Sequence, residues 1–252
     1  FAATLAPGDL IMIIQMQGVS LSGSSVEWPT GSGIFLGIPD DITLGAITGY
    51  NNCGNYEFCE VNTVPNATTI TLDCGLIHAY TTAGRVQIVR VPRVTSLTIT
   101  SPGTLTGTAW GAAYVGGVVA VEIQNNTVIN AGASITATGI GFRGAALAAN
   151  NAAGYGGGQN AGTSSQEGSN KGEGIAGYMT DYNVIGGQYA RGAIANAGGG
   201  GDCHNSGGGG GANAGGPLAS WDGLGNPDVS GGAGWISAWN LEVASFATHT
   251  SP

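Results

Sequence analysis

Residues 198–216 read GGGGDCHNSGGGGGANAGG, with Pro217 directly after, and eleven of these nineteen positions are glycine. Such a stretch has almost no side chains from which to build an ordinary core. Ordering it costs roughly 1–2 kcal/mol of backbone entropy per residue, and glycine loses the most freedom of all. Two outcomes are physically reasonable. One is a flexible linker, the usual fate of Gly/Ser-rich sequence. The other is a set of extended, polyproline-II-type strands whose bare backbones approach closely and hydrogen-bond to one another, as in collagen.

The surroundings favour the second outcome. From Gly139 to Gly234 the glycines are punctuated by Phe142, Tyr155, Tyr178, Tyr182, Tyr189, Trp221 and Trp235, and by Ile140, Ile175, Ile185 and Ile194. Linkers rarely carry so many large apolar anchors. No strict three-residue period is present, which excludes collagen itself. The expectation is therefore an ordered glycine-rich module.

Working outward, residues 5–93 read as a small β domain. Pro7-Gly8-Asp9 is a turn signal, and Leu10 to Gln17 (LIMIIQMQ) follows as a mostly buried strand ended by Gly18. Tyr56 to Val61 and Thr68 to Leu72 resemble the arms of a hairpin turning around Val64-Pro65-Asn66-Ala67. Arg85 to Val91 alternates with period two and stops at Pro92. Four or five strands with this punctuation predict a small barrel or sandwich. After Val94 the strands shorten and become one-faced: Leu97/Ile99, then Val119/Val121/Ile123, then Ala133/Ile135/Ala137, separated by Asn-rich turns. Short strands that bury an apolar face only by stacking on the next predict a β-solenoid. The overall expectation is an all-β chain: a small β-barrel or sandwich over 1–93, then β-solenoid-like strands and the glycine-rich module over 94–252. Ala145-Ala146-Leu147-Ala148-Ala149 has helix propensity but is too short to stand alone. Trp235 to Val243 reads as a last strand.

Composition excludes several function classes. Charged residues are only 8% of the chain, against roughly 25% in ordinary soluble domains, and Lys171 is the only lysine. The net charge of −9 and the scarcity of Lys/Arg argue against nucleic acid and against anionic membranes. The longest dense apolar run, Leu10 to Met16, is too short to span a bilayer, so no membrane insertion is expected. The chain opens at Phe1 without a charged or apolar leader, which reads as a processed chain or a fragment. Four cysteines fit two disulfides in an oxidising compartment. Counting outward from the hairpin turn lets Cys59 reach Cys74 across the ladder, and elimination leaves Cys53 for Cys203. Asn66-Ala67-Thr68 and Asn125-Asn126-Thr127 are sequons, so Asn66 and Asn125 are glycosylation candidates.

Chemistry-bearing motifs are weak. Gly139-Ile140-Gly141-Phe142-Arg143-Gly144 matches a dinucleotide-binding glycine pattern, but it lacks the βαβ unit and distal acid that make the pattern work. Asp202-Cys203-His204-Asn205 has no second Cys/His cluster to complete a zinc set; the expected role of Cys203 is a disulfide. Glu57 and Glu60 fall on opposite faces of one strand and are poor candidates for a paired acid/base site. Asp222 and Asp228 could contribute oxygens to Ca²⁺ without completing a site. No catalytic residue, cofactor or metal is expected. Tyr182, Tyr189, Trp221 and Trp235 are candidates for flat surface contact with carbohydrate or protein.

Several strings together carry a resemblance. They are Gly8 to Gly18 (GDLIMIIQMQG), Leu72-Asp73-Cys74-Gly75-Leu76, Val86 to Arg93 (VQIVRVPR), Gly139 to Gly144 and Lys171 to Gly177 (KGEGIAG). These resemble glycine-rich secreted surface proteins of Bacteroidota, exported by the type IX system and described as gliding-motility-associated or adhesin-like. The resemblance spans about Gly8 to Gly216 and implies an extracellular, cell-surface location without prescribing catalytic residues. The function expected is that of a secreted structural surface protein, the subunit or module of an extracellular filament or adhesin, without catalysis. Its expected partners are further copies, tandem surface modules or glycans. The alternatives are a carbohydrate-binding adhesin domain and a polysaccharide-acting β-solenoid enzyme.

Overall fold

A computed structural model describes residues 4–21, 47–145, 170–185, 188–189, 194–198, 221–222 and 229–230. Expectations for Cys203, Asp228, Trp235, the alanine run after 145 and nearly all of residues 198–216 lie outside the described residues. So does the proposed last strand. Of Trp221 and Asp222 only the backbone is described.

The described chain is built of strands with almost no helix. In order they are β1 (Leu10–Gln15), β2 (Ser20–Leu21), β3 (Ile47–Gly49), β4 (Tyr56–Asn66), β5 (Thr69–Leu72), β6 (Val86–Val91) and β7 (Arg93–Val94). There follow β8 (Leu97–Ile99), β9 (Thr104–Leu105), β10 (Glu122–Ile123), β11 (Thr127–Ile129), β12 (Ser134–Ile135), β13 (Trp221–Asp222) and β14 (Val229–Ser230). Two 3₁₀ turns, Thr82–Gly84 and Met179–Ile185, interrupt them. The chain forms two compact units, Phe1–Met16 with Gly54–Phe142 and Gln17–Cys53 with Arg143–Pro252.

In the first unit a four-stranded sheet runs β5-β4-β1-β6. β1 is antiparallel to both neighbours, with Ile11 opposite Cys59 on β4 and Arg90 on β6. Both faces of β1 are covered. Ile11 and Ile13 pack with Cys59, Val61, Ile70, Leu72 and Val86. Leu10 and Met12 pack with Val91, Tyr56, Val89, Val118 and Ala120. This explains why β1 is written as an unbroken apolar run where a one-sided strand would alternate. Full burial of Ile11 alone stabilises the sheet by about 1.5–3 kcal/mol.

The hairpin turn differs from its expected position. β4 continues through Val64 and Pro65, and the reversal falls at Ala67-Thr68. There the Asn66 side chain accepts hydrogen bonds from the Thr68 amide and hydroxyl, both at 2.9 Å, replacing the backbone turn with an Asx turn.

Beyond β6 the pairing becomes parallel. β7 pairs with β10, β8 with β11 and β9 with β12. The registers are Arg93 to Glu122, Leu97 to Thr127, Ile99 to Ile129 and Thr104 to Ser134, offsets of 29 or 30 residues throughout. The offset recurs where the Trp110 amide donates to the Ile140 carbonyl at 2.9 Å. The division expected at residue 93 falls inside this unit: the Glu122 amide bonds to the Pro92 carbonyl, and Val118 and Ala120 pack on Leu10 and Met12. The apolar face expected of Ala133, Ile135 and Ala137 is largely exposed, with Ile135 at 42%. Among the described residues β10, β11 and β12 each have a strand partner on one edge only.

In the second unit β2 pairs antiparallel with β3 and β13 with β14. Two small clusters supply its apolar content, Val19-Cys53-Ala195 and Tyr182-Ile194-Ala197. Tyr182 was expected at the surface. It is instead fully buried at 0% exposure, its hydroxyl shared between the Gly172 and Gly177 carbonyls at 2.8 and 2.6 Å. Among glycines with no bulk of their own, this ring is what the neighbouring backbone wraps around.

Candidate functional site

The densest set of chemistry-bearing side chains in the second unit follows from the string Asn170-Lys171-Gly172-Glu173-Gly174. Gly172 and Gly174 face residues 196–198: the Gly172 amide donates to the Gly198 carbonyl at 2.9 Å. A Cβ on Gly174 would lie 2.6 Å from Asn196 Oδ1 and 2.8 Å from the Ala197 nitrogen, so only glycine fits. The alternation leaves Lys171 and Glu173 to the other side. There the Glu173 carboxylate, wholly buried, takes Arg143 in a two-pronged pair: Nε to Oε2 at 2.6 Å and a terminal guanidinium nitrogen to Oε1 at 3.0 Å. Gln17 Nε2 donates to the same Oε1 at 3.0 Å and to the Gly174 carbonyl at 2.8 Å. Arg143 also lies over the Tyr178 ring, 4.3 Å from its centroid.

Lys171 is 1% exposed, and burial pulls its ammonium down from the ordinary lysine value to about 7. Asn170 and Gln188 are buried beside it, and Asn196 is buried against Gly174 and Ile175. Gln188 Nε2 donates to Asn170 Oδ1 at 2.9 Å, and the Lys171 amide donates to the Gln188 carbonyl at 3.0 Å. This is a polar core: hydrogen bonds and one ion pair take the place of the aliphatic side chains that the glycine-rich sequence lacks.

A second cluster lies on β4 of the first unit. Strand alternation buries Glu57, Cys59 and Val61 together, with Phe58 and Glu60 on the opposite face. Glu57 accepts from the Ile77 amide at 2.9 Å, the His78 amide at 3.2 Å and the Tyr80 hydroxyl at 2.9 Å. Burial alone would raise its carboxyl, but these three donors outweigh it and hold the group below the usual carboxylate range. The carboxylate clamps the loop 73–80, which displays Ile77 to solvent at 85% exposure.

Cys59 and Cys74 are brought together as expected, with sulfurs 3.7 Å apart. Val61 pairs with Leu72, so the two cysteines lie opposite one another, nearer than the diagonal approach the turn count suggested. Cys59 is buried, and burial with the neighbouring Cys74 and Glu57 pushes its thiol up to about 11; Cys74 is exposed. Under a disulfide donor the pair is expected to close, and non-reducing peptide mass spectrometry should recover the 59–74 cross-link. Closing a loop of this length stabilises by about 3 kcal/mol, so replacing the exposed partner, Cys74→Ser, is expected to lower the melting point of the oxidised chain and leave the reduced chain nearly unchanged. Cys53 is buried in the second unit, its thiol pushed up to about 12 by burial.

Of the remaining candidates, Asn66 and Asn125 are exposed and Tyr189 is half-buried, bridging to Asn170. The glycine pattern 139–144 forms turns, and its Arg143 serves the Glu173 pair. Among the described residues no group of three Asp, Glu, His or Cys side chains is placed to hold a metal. Nor is any described helix long and apolar enough to cross a membrane. Reading the sequence missed the Arg143–Glu173 pair. The signal that could have found it is spacing, for these residues stand 30 apart, as the parallel strands do.

No protein-family profile, curated protein or solved structure matches this chain.

Proposed function

We propose that this chain is a structural protein of the cell exterior, the subunit or module of an extracellular filament or adhesin, and that it performs no catalysis. One observation carries the reading: the parallel strands stack at a constant offset of 29 or 30 residues. A constant offset is what a β-solenoid requires, each turn of chain burying its strands against the turn before it. We infer a two-part body, a small β-sandwich formed on the two-faced sheet around β1 and a solenoid beginning at β7, with the glycine-rich segment a packed, ordered module. The kinship with glycine-rich, type IX-exported surface proteins belongs to the same proposal. So do secretion and the disulfides.

Solenoid turns leave strand edges at both ends, and such edges add strands from a neighbour. The exposed Val128, Ile129 and Ile135 on β11 and β12 fit stacking of this kind. Negative-stain electron microscopy of the purified chain is the test. Fibres with a regular repeat support the filament form, and discrete particles that decorate glycan or abiotic surfaces support the adhesin form. A turnover screen on common polysaccharides that yields product overturns both.

A further inference from the structure

We propose that Arg85 and Tyr114 form a recognition point for the carboxylate of an acidic sugar, a uronate. The argument starts from charge pairing. Arg90 pairs with Asp9 at 2.6 Å, Arg93 with Glu60 and Glu122, and Arg143 with Glu173. Among the described residues Arg85 is the arginine with no carboxylate beside it. Its guanidinium carbon lies over the Tyr114 ring, 3.8 Å from the centroid. The molecule contains the completed version of this arrangement. Arg143 lies over Tyr178 in the same way, and there Glu173 fills the guanidinium fork. Among the described residues the Arg85 stack has the ring and the cation but not the acid.

The backbone on both sides of the stack is held in place. Arg85 and Tyr114 both sit in the left-handed region, at φ of 55° and 57°, a conformation that bulky residues adopt only where surrounding structure enforces it; Arg85 adopts it as the residue that closes the 3₁₀ turn Thr82–Gly84. The enforcement is visible. Gln87 Nε2 donates to the Gly116 carbonyl at 2.8 Å, and the Gly116 amide donates back to Gln87 Oε1 at 2.9 Å. Trp110, 4% exposed, stands edge-on to Tyr114 and to Phe142, with centroids 6.2 and 5.4 Å away. Among the described residues its Nε1 donor has no acceptor. The loop 110–117 is thus fixed from beneath, and Tyr114 is held in place under the Arg85 guanidinium.

The choice of a sugar follows from what one guanidinium offers. An acidic peptide carries carboxylates in series and would meet the repulsion of a chain with net charge −9. A uronate brings a single carboxylate next to an apolar C–H face. The edge of Tyr114 and the exposed isopropyl of Val115 supply the matching apolar surface.

The inference goes beyond the structural role and does not depend on it, since a filament or a discrete particle can carry such a point. Sodium D-glucuronate is titrated into the full chain and followed by ligand-observed NMR, with D-glucose and a triglutamate peptide as comparisons. Saturable binding in the millimolar range is expected, with glucose at least tenfold weaker. Arg85→Gln is expected to lose at least tenfold and Arg85→Lys less, the lysine keeping the charge without the planar fork. Equal binding of glucose, tighter binding of triglutamate, or no glucuronate saturation at tens of millimolar overturns the assignment. So does an Arg85→Gln chain, folded by circular dichroism, that binds like the parent; the comparison of ligands on the unaltered chain stands even if that variant does not fold.

Discussion

Glu173→Gln is expected to be among the most damaging single substitutions in the second unit, costing about 3 kcal/mol or more. The change is nearly isosteric, so what it removes is charge. Glu173 is wholly buried and Arg143 keeps 23% exposure, so the guanidinium would be left mostly out of water against a neutral amide. Breaking one side of a buried pair costs about 3–5 kcal/mol, and the residual exposure of Arg143 places the effect at the lower end. The glutamine would also turn a donor toward Gln17 Nε2 or the Arg143 amide, both of which now donate to the carboxylate. Against a typical domain stability of about 5–15 kcal/mol this is a large fraction.

The measurement is amide exchange at Gly172, Gly174 and Gly177, the backbone that the pair orders. Protection there is expected to fall by two orders of magnitude or more, and the double variant Arg143→Met/Glu173→Leu should restore much of it, because an apolar pair replaces the ion pair without an orphaned charge. Unchanged protection in Glu173→Gln would mean that the glycine-rich backbone is held by something else.

How far the sequence was legible depends on which physical signal each part carries. β1 and β6 could be read directly, because a run such as Leu10-Ile11-Met12-Ile13-Ile14 and the period-two pattern of Val86 to Val91 have few ways to be buried. The Cys59–Cys74 approach was legible from hairpin counting, even though the turn lies later than Val64-Pro65 suggested; Pro65 is tolerated because β4 there needs no donor. The burial of Tyr182 was not legible. In ordinary sequence an aromatic among glycines and polar residues is a surface candidate, but here the neighbours have no bulk of their own, and the ring becomes the core by default. The polar core was hidden for the same reason: nothing in the string Asn170-Lys171-Gly172-Glu173 marks these side chains as buried until the glycines between them are seen to bring residues 196–198 up against the chain. The exposed Ile135 shows the opposite limit. An alternating pattern marks the face that would be buried, not whether anything covers it.

Lys171 gives the other large effect, and its sign can be worked out. Burial lowers its pKa from 10.5 to about 7 in the folded chain, so between those values the unfolded chain holds a proton that the folded chain has released. Stability from this group is therefore greatest above the unfolded value and is lost as pH falls towards 7, with a slope approaching about 1.4 kcal/mol per pH unit. Cys53 acts in the opposite direction. Its thiol is held up at about 12, above its ordinary 9, so the folded chain keeps a proton that the unfolded chain gives up and stability falls above pH 9. The rise due to Lys171 should thus be clearest between about pH 7 and 9. Lys171→Met keeps the length of the side chain and removes the titration. Relative to it, the parent chain should gain stability across that window by roughly 2–3 kcal/mol, whatever constant offset the lost contacts of the amine introduce. Urea unfolding of both chains at pH 7, 8 and 9 reads the difference directly. Parallel curves would place the amine in water or beside a compensating charge, and the second unit would then be more open around Lys171 than a dry polar core allows.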